Sequence, residues 1–209
     1  MNSYVSVAKT AQGTITEKKS VFTAYVSSAG DEAAAFAFIG EVSGNNAKAS
    51  HNVYAYRVGV NRTDEKYSDA GEPSGTAGLP VLSVLRKEGL TNVAVVVTRF
   101  FGGILLGAGG LSRAYQAACK AGLSSAGLAG MKPYQILTAA VPYAYAGKII
   151  YDAPHYGYIV KDAVYLEDVA FTVHLPVRDA GAFTKRVMDM TNGAAVVTRG
   201  ECIYHAENI

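Results

Sequence analysis

Acidic residues are missing from one long stretch of this 209-residue sequence: between Glu88 and Asp152 there is not one. Arg99, Arg113, Lys120, Lys132 and Lys148 all fall inside it, so the middle of the chain is basic although the net charge is only +2. A charge that small does not argue for nucleic acid by itself; its distribution is what carries information. Just upstream the bias reverses, with Asp64, Glu65, Asp69 and Glu72 close together. An acidic loop and a basic segment are candidates for two walls of one cleft, and a solvated surface would explain the same charges.

Cysteine is scarce. Cys119 and Cys202 are far apart, with no Cys or His nearby at ligand spacing. That excludes a disulfide framework and reads as two reduced thiols of a cytoplasmic protein. Long apolar runs are also missing. Those at Val93 to Val97 and Ile104 to Leu106 are broken well short of the ~18 residues a membrane span needs. The opening MNSYVSVAKT has no basic patch, apolar run and small-residue cleavage site in succession, so no secretory signal is expected. Half the residues are apolar and 17% are charged, a globular composition, and the length suits one or two domains.

Periodicity divides the chain. Tyr4 to Lys9 and Val21 to Ser27 alternate like strands, with a turn expected at Gln12 and Gly13. Asp31 can cap a helix over Glu32 to Val42, ended by Gly44, Asn45 and Asn46. His51 to Val60 reads as a strand, Asn61 to Gly75 as a loop and Thr76 to Lys87 as a helix. Val93 to Thr98 is a fully buried strand, and Leu111 to Leu123 is a helix. The small, glycine-rich run Gly122 to Gly130 has the composition of a linker, which places a domain boundary near Met131. Beyond it the order is strand (Gln135 to Val141), helix (Tyr143 to Ala153), strand (Tyr158 to Leu166), strand (Val169 to Leu175), helix (Arg178 to Thr191), strand (Ala194 to Tyr204). That is the βαββαβ order of a ferredoxin-like split βαβ domain. His155, His174 and His205 are scattered through this half and suggest no catalytic constellation.

The stretch RFFGGILLGAGGLSRAY, Arg99 to Tyr115, invites a phosphate-loop reading. Gly102 and Gly107 have the Walker A separation, but Ala108 and Gly109 stand where lysine and the hydroxyl should follow. A dinucleotide fingerprint begun at Gly107 and Gly109 meets Ser112 in place of its third glycine, and no acid follows for a ribose. Both nucleotide motifs fail. What survives is a buried strand that runs through glycines into a helix start, which can hold an anion on free amides or serve close backbone packing alone.

YSDAGEPSGTAG, Tyr67 to Gly78, is the second constellation. Asp69, Glu72, Ser74 and Thr76, with His51 and Arg99 brought near, would be enough groups for acid/base or nucleophilic work. GEPSG is not the GxSxG elbow, and Asp69 with Glu72 lacks a third ligand at metal spacing. Turn formation explains the same residue types.

Ala55 to Arg57, Ser68 to Gly78 and Val95 to Tyr115 together closely resemble the Impact family and its bacterial YigZ-type members. KKS-x-F at Lys18 to Phe22 and the His51–Asn52 pair fit the same pattern. The resemblance implies an α+β fold of two domains. The first would be like the second domain of a small-subunit ribosomal protein and domain IV of elongation factor G. The second would be ferredoxin-like, as in domain V of that factor. It also implies a place in the regulation of translation, with no established catalytic residues to carry over. Three departures stand out: Ala70 replaces the second acid of DDGEP, Val21 a basic residue before Phe22, and Leu105 a lysine after GGI. Losing two cations weakens phosphate contacts.

The expectation is therefore a cytoplasmic protein with an Impact-type domain over 1–130 and a ferredoxin-like domain over 131–209. It would regulate translation by binding RNA, the ribosome or a translation factor. The anion site would comprise Arg99, Phe100, Gly102, Gly103, Gly109, Gly110 and Arg113, faced by a cleft of His51, Asp69, Glu72, Ser74 and Thr76. Of the adjacent Phe100 and Phe101, strand alternation sends one to the core and leaves the other to stack on a base. No metal, cofactor, nucleotide or membrane partner is expected. A hydrolase acting through His51, Asp69, Glu72 and Ser74, and an interaction module without chemistry, are the alternatives.

Overall fold

The computed structural model describes residues 2–208. It divides into two compact units: Asn2–Met131, joined by the end of the last strand, and Lys132–His205.

In the first unit the elements run β1 (Tyr4–Val7), β2 (Ala11–Glu17), β3 (Ser20–Ser28), α1 (Glu32–Asn45), β4 (His51–Val58), β5 (Asp64–Ser68), α2 (Gly78–Lys87), β6 (Val93–Phe100) and α3 (Gly107–Ala126). β1 pairs with the first residues of β7 (Leu128–Val141). The main sheet is antiparallel, in the order β2-β3-β6-β4-β5. Central β6 sends Val93, Val95 and Val97 into a core with Phe22, Leu85 and Tyr115, and Ala94 and Val96 into another with Ala35, Ile39 and Tyr56. Helices α2 and α3 supply the first core and α1 the second. Because side chains alternate across a strand, a sheet covered on both faces needs apolar residues at every position, hence the unbroken valine run. Asp31 caps α1 as expected, its Oδ1 accepting the Ala34 amide at 2.8 Å.

Three local expectations are corrected. The β2–β3 turn is formed by Lys18 and Lys19, with φ of 44° and 64°, and Gln12 and Gly13 lie inside β2. Two positive-φ residues match the twist of a tight hairpin. Gly13 is in the strand because α3 passes over it: a Cβ there would sit 2.4 Å from the carbonyl carbon of Ala121. Gly122 makes the same approach from the helix, 2.8 Å from Val26 Cγ2. Residues 122–130 are thus the end of α3 and the start of β7, not a linker. The third correction is β5, an exposed polar edge strand that carries no apolar alternation to betray it.

The second unit contains the rest of β7, α4 (Tyr143–Asp152), β8 (Ile159–Tyr165), β9 (Val169–Pro176), α5 (Ala180–Met190) and β10 (Val196–Asn208). Its strand order is β10-β7-β9-β8, with β9 antiparallel to both neighbours. Along β9, Val169, Phe171, Val173 and Leu175 are buried in alternation, packing with Ile149 of α4 and Phe183 and Val187 of α5. One face is packed against the helices and the other is only partly buried, so this sheet alternates where β6 does not. Both units mix helices with antiparallel sheets, so the chain is α+β. Among the described residues no helix is long and apolar enough to cross a membrane.

Candidate functional site

Arg99 is the penultimate residue of β6, opposite Phe22 on one side and His51 on the other. Residues directly opposite in an antiparallel pair share a face, so the three side chains stand together. The loop between β5 and α2 is folded over them. Asp69 shapes that loop: its Oδ2 accepts the Gly75 amide at 2.8 Å, and its Oδ1 accepts those of Ala77 and Gly78 at 3.1 and 2.8 Å. These are amides at the start of α2, whose own N-cap residue, Ala77, has no side chain to serve them. Ala70 and Gly71, with φ of 47° and 87°, turn the chain back so that Glu72 enters the protein.

Glu72 Oε1 accepts Arg99 Nη1 at 2.7 Å and the Tyr115 hydroxyl of α3 at 2.8 Å. The Arg99 and Glu72 side chains are only 6% and 3% exposed. Burial, then the Glu72 bond, pushes the Tyr115 phenol far above its usual pKa, so it remains a donor. The Arg99 guanidinium also lies over the Phe22 and Phe101 rings, 5.4 and 5.3 Å from their centroids. His51 Nδ1 is 2.9 Å from the carbonyl oxygen of Ala70, which can only accept. The ring proton of neutral His51 is therefore on Nδ1, and Nε2, 3.9 Å from Glu72 Oε1, keeps its lone pair. A cleft of about 500 Å³ opens over His51, Glu72 and Arg99, walled by Pro73, Phe101, Leu105, Leu106 and Leu111 and by Gly107 and Ala108 at the start of α3.

The residues expected to form one site separate into three groups. His51, Glu72 and Arg99 come together in the cleft. Asp69 and Thr76 are scaffold, Thr76 Oγ1 donating to the Pro73 carbonyl at 2.6 Å, while Ser74 is exposed outside the cleft lining. Arg113 lines a different groove, of about 280 Å³, with Lys18, Glu17, Leu106 and Gly110. The two arginines therefore do not hold one anion between them, because Arg99 already has a buried carboxylate. Gly102 packs on the Lys19 carbonyl group, where a Cβ would lie 2.0 Å from its carbon, Gly103 turns the chain with φ of 81°, and Gly109 and Gly110 are in the first turn of α3. Phe100 and Phe101 are both exposed, at 43% and 48%, because β6 ends at Phe100 and alternation stops there. Tyr115, inside the expected helix Leu111 to Leu123, is the cluster member absent from the expected site. A core tyrosine whose hydroxyl needs a partner was the available signal.

Among the described residues no three His, Cys, Asp or Glu side chains gather as a metal site. In the second unit His174 and His205 are not scattered: their Nδ1 and Nε2 are 3.0 Å apart.

Residues 18–123 match the family model for the Impact N-terminal domain, and residues 140–194 match a domain of unknown function, DUF1949. The chain belongs to the Impact family. It is 36% identical over 204 residues to the IMPACT family member YvyE of Bacillus subtilis, covering 98% of this chain and 94% of that one. It is 40% identical over 100 residues to YigZ of Escherichia coli, covering 47% and 49%. A solved structure described as an hypothetical protein superposes with a TM-score of 0.64 at 28% identity, over 96% of this chain and 98% of the other.

Proposed function

We propose that this chain is a cytoplasmic regulator of translation that binds single-stranded RNA through one end of its first unit. The observation that carries the reading is the seating of the Lys18–Lys19 turn on Gly102, with Ser20 Oγ accepting the Gly102 amide at 3.1 Å. Two exposed lysines are thereby held beside the exposed rings of Phe100 and Phe101. Arg113 and the first amides of α3, at Gly109 and Gly110, extend the same end along the Lys18 groove. Cations that track a backbone beside aromatic faces that stack on bases are what a single-stranded nucleic acid requires. Arg99 contributes here only by holding Phe101 and the loop in place.

The strand order β10-β7-β9-β8 supports a ferredoxin-like second domain over 131–209. The resemblance to ribosomal-protein and elongation-factor domains supports RNA as the partner of the domain over 1–130.

The test is retention of a fluorescent single-stranded RNA oligomer, titrated at several salt concentrations. In the variant carrying Lys18→Gln, Lys19→Gln and Arg113→Gln, the salt slope falls by about 2, at roughly 0.7 per lost phosphate contact. Removing either phenylalanine costs about 1–3 kcal/mol of stacking. The reading is overturned if the native chain retains no RNA at low salt, or if the triple variant keeps the native slope.

A further inference from the structure

We propose that the cleft over His51 is a hydrolytic site for small, uncharged carboxylic esters with an apolar acyl group, bordering the RNA-binding end at Phe101. Three observations point to it. The Ala70 carbonyl fixes the His51 tautomer, so the free lone pair is on Nε2, the nitrogen nearer Glu72 and the cleft. Glu72 stands 3.9 Å from that nitrogen as counter-charge to the imidazolium a base becomes, while Arg99 and Tyr115 hold its other contacts fixed. The remaining walls, Phe101, Leu105, Leu106 and Leu111, form an apolar trough about 500 Å³ in volume. The same carboxylate beside His51 disfavours a dianionic phosphate ester, which is why an uncharged acyl substrate fits better.

The reaction is ester plus water to acid plus alcohol. A water oxygen bonds to the acyl carbon as its proton passes to His51 Nε2, and the carbonyl oxygen becomes an oxyanion beside the amides of Gly107 and Ala108. Collapse re-forms the carbonyl and breaks the bond to the alkoxide, which takes the proton back from Nε2. Neither an oxidant nor a metal is needed for the balance. His51 is the catalytic residue; Arg99 and Tyr115 are positioning residues for Glu72.

The full chain is assayed with p-nitrophenyl butyrate between pH 5 and 9. The expected result is saturable hydrolysis that falls about 100-fold in His51→Gln, the scale of one lost general base. His155→Gln, an exposed histidine of the second unit, retains the native rate. In Glu72→Gln kcat falls while KM is kept, because the imidazolium formed during the reaction has lost its counter-charge, a split a purely structural role would not produce. Ala108→Trp, at an exposed position on the cleft wall, blocks the site without touching the buried cluster and abolishes saturation. The proposal is wrong if the native chain shows no saturable rate, or if folded His51→Gln or Ala108→Trp protein keeps it. RNA retention by His51→Gln is unchanged, which separates this site from the RNA-binding reading.

Discussion

Arg99 and Glu72 are 27 positions apart in sequence and meet in a 2.7 Å ion pair with both side chains buried. That pair joins the central strand to the loop preceding α2. Removing one member of a buried pair leaves an uncompensated charge, at a cost of about 3–5 kcal/mol. Glu72→Ala therefore destabilises the first unit by that order in urea unfolding. Tyr115→Phe removes one bond to the same oxygen and costs less, about 1.5–3 kcal/mol. A Glu72→Ala protein as stable as Tyr115→Phe would show that the ion pair does not hold the loop.

The same pair shows how far the sequence could be read. An unbroken valine run revealed β6, and the order of elements in the second unit followed from alternation and helix period, because those signals are written in adjacent residues. The partner of Arg99 is written in none of them. It depends on Ala70 and Gly71 adopting positive φ and on Asp69 holding the start of α2, which together turn Glu72 inward. Acid and base were both named as candidates, yet without that turn Arg99 read as free for an anion and Asp69 as a cleft wall. β5 was illegible for the opposite reason, since an exposed edge strand buries too little to need a pattern.

Glycine substitutions distinguish packing from flexibility. Gly13→Ala and Gly122→Ala each drive a methyl group into α3 or into the sheet beneath it, and rigid neighbours make overpacking cost about 1–3 kcal/mol. Gly40 lies inside α1 with nothing within 4 Å of its Cβ position. Gly40→Ala stabilises by about 0.5–1 kcal/mol through helix propensity. Thermal unfolding of the three variants should rank Gly40→Ala above native and the other two below; equal values for all three would remove close packing as the reason for Gly13 and Gly122.

Asp69 is the next test, because its carboxylate serves three amides at once. Asp69→Ala strips the start of α2 of this side-chain acceptor and costs about 1–2 kcal/mol, as loss of a cap does. Asp69→Asn retains one acceptor oxygen and recovers part of that. Hydrogen exchange at Gly75, Ala77 and Gly78 reports the change directly. Unchanged protection at these three amides in Asp69→Ala would mean that the loop is held by something else.

The His174–His205 pair makes the second unit sensitive to acid. The rings face each other through nitrogens 3.0 Å apart, so one must donate and the other accept, and a doubly protonated pair has no acceptor left. Burial, then His205, then Lys161 lower the His174 pKa below the usual imidazole value; Asp162 of β8 opposes them, and the Tyr134 ring packs 4.7 Å from that of His205. In the unfolded chain His174 titrates at its ordinary value. Between that value and the lowered one the unfolded state binds more protons, so stability falls as pH falls, and the penalty is complete below the lowered value. Above the ordinary value this group imposes no pH dependence. Protection of the β9 amides, the intrinsic exchange rate at each pH divided by the observed one, should fall in the native chain from pH 8 to pH 5. In His174→Gln, which can donate or accept but cannot take up the proton, that fall should shrink. If the native chain and His174→Gln lose protection in parallel across this range, the pair is not what couples the second unit to acid.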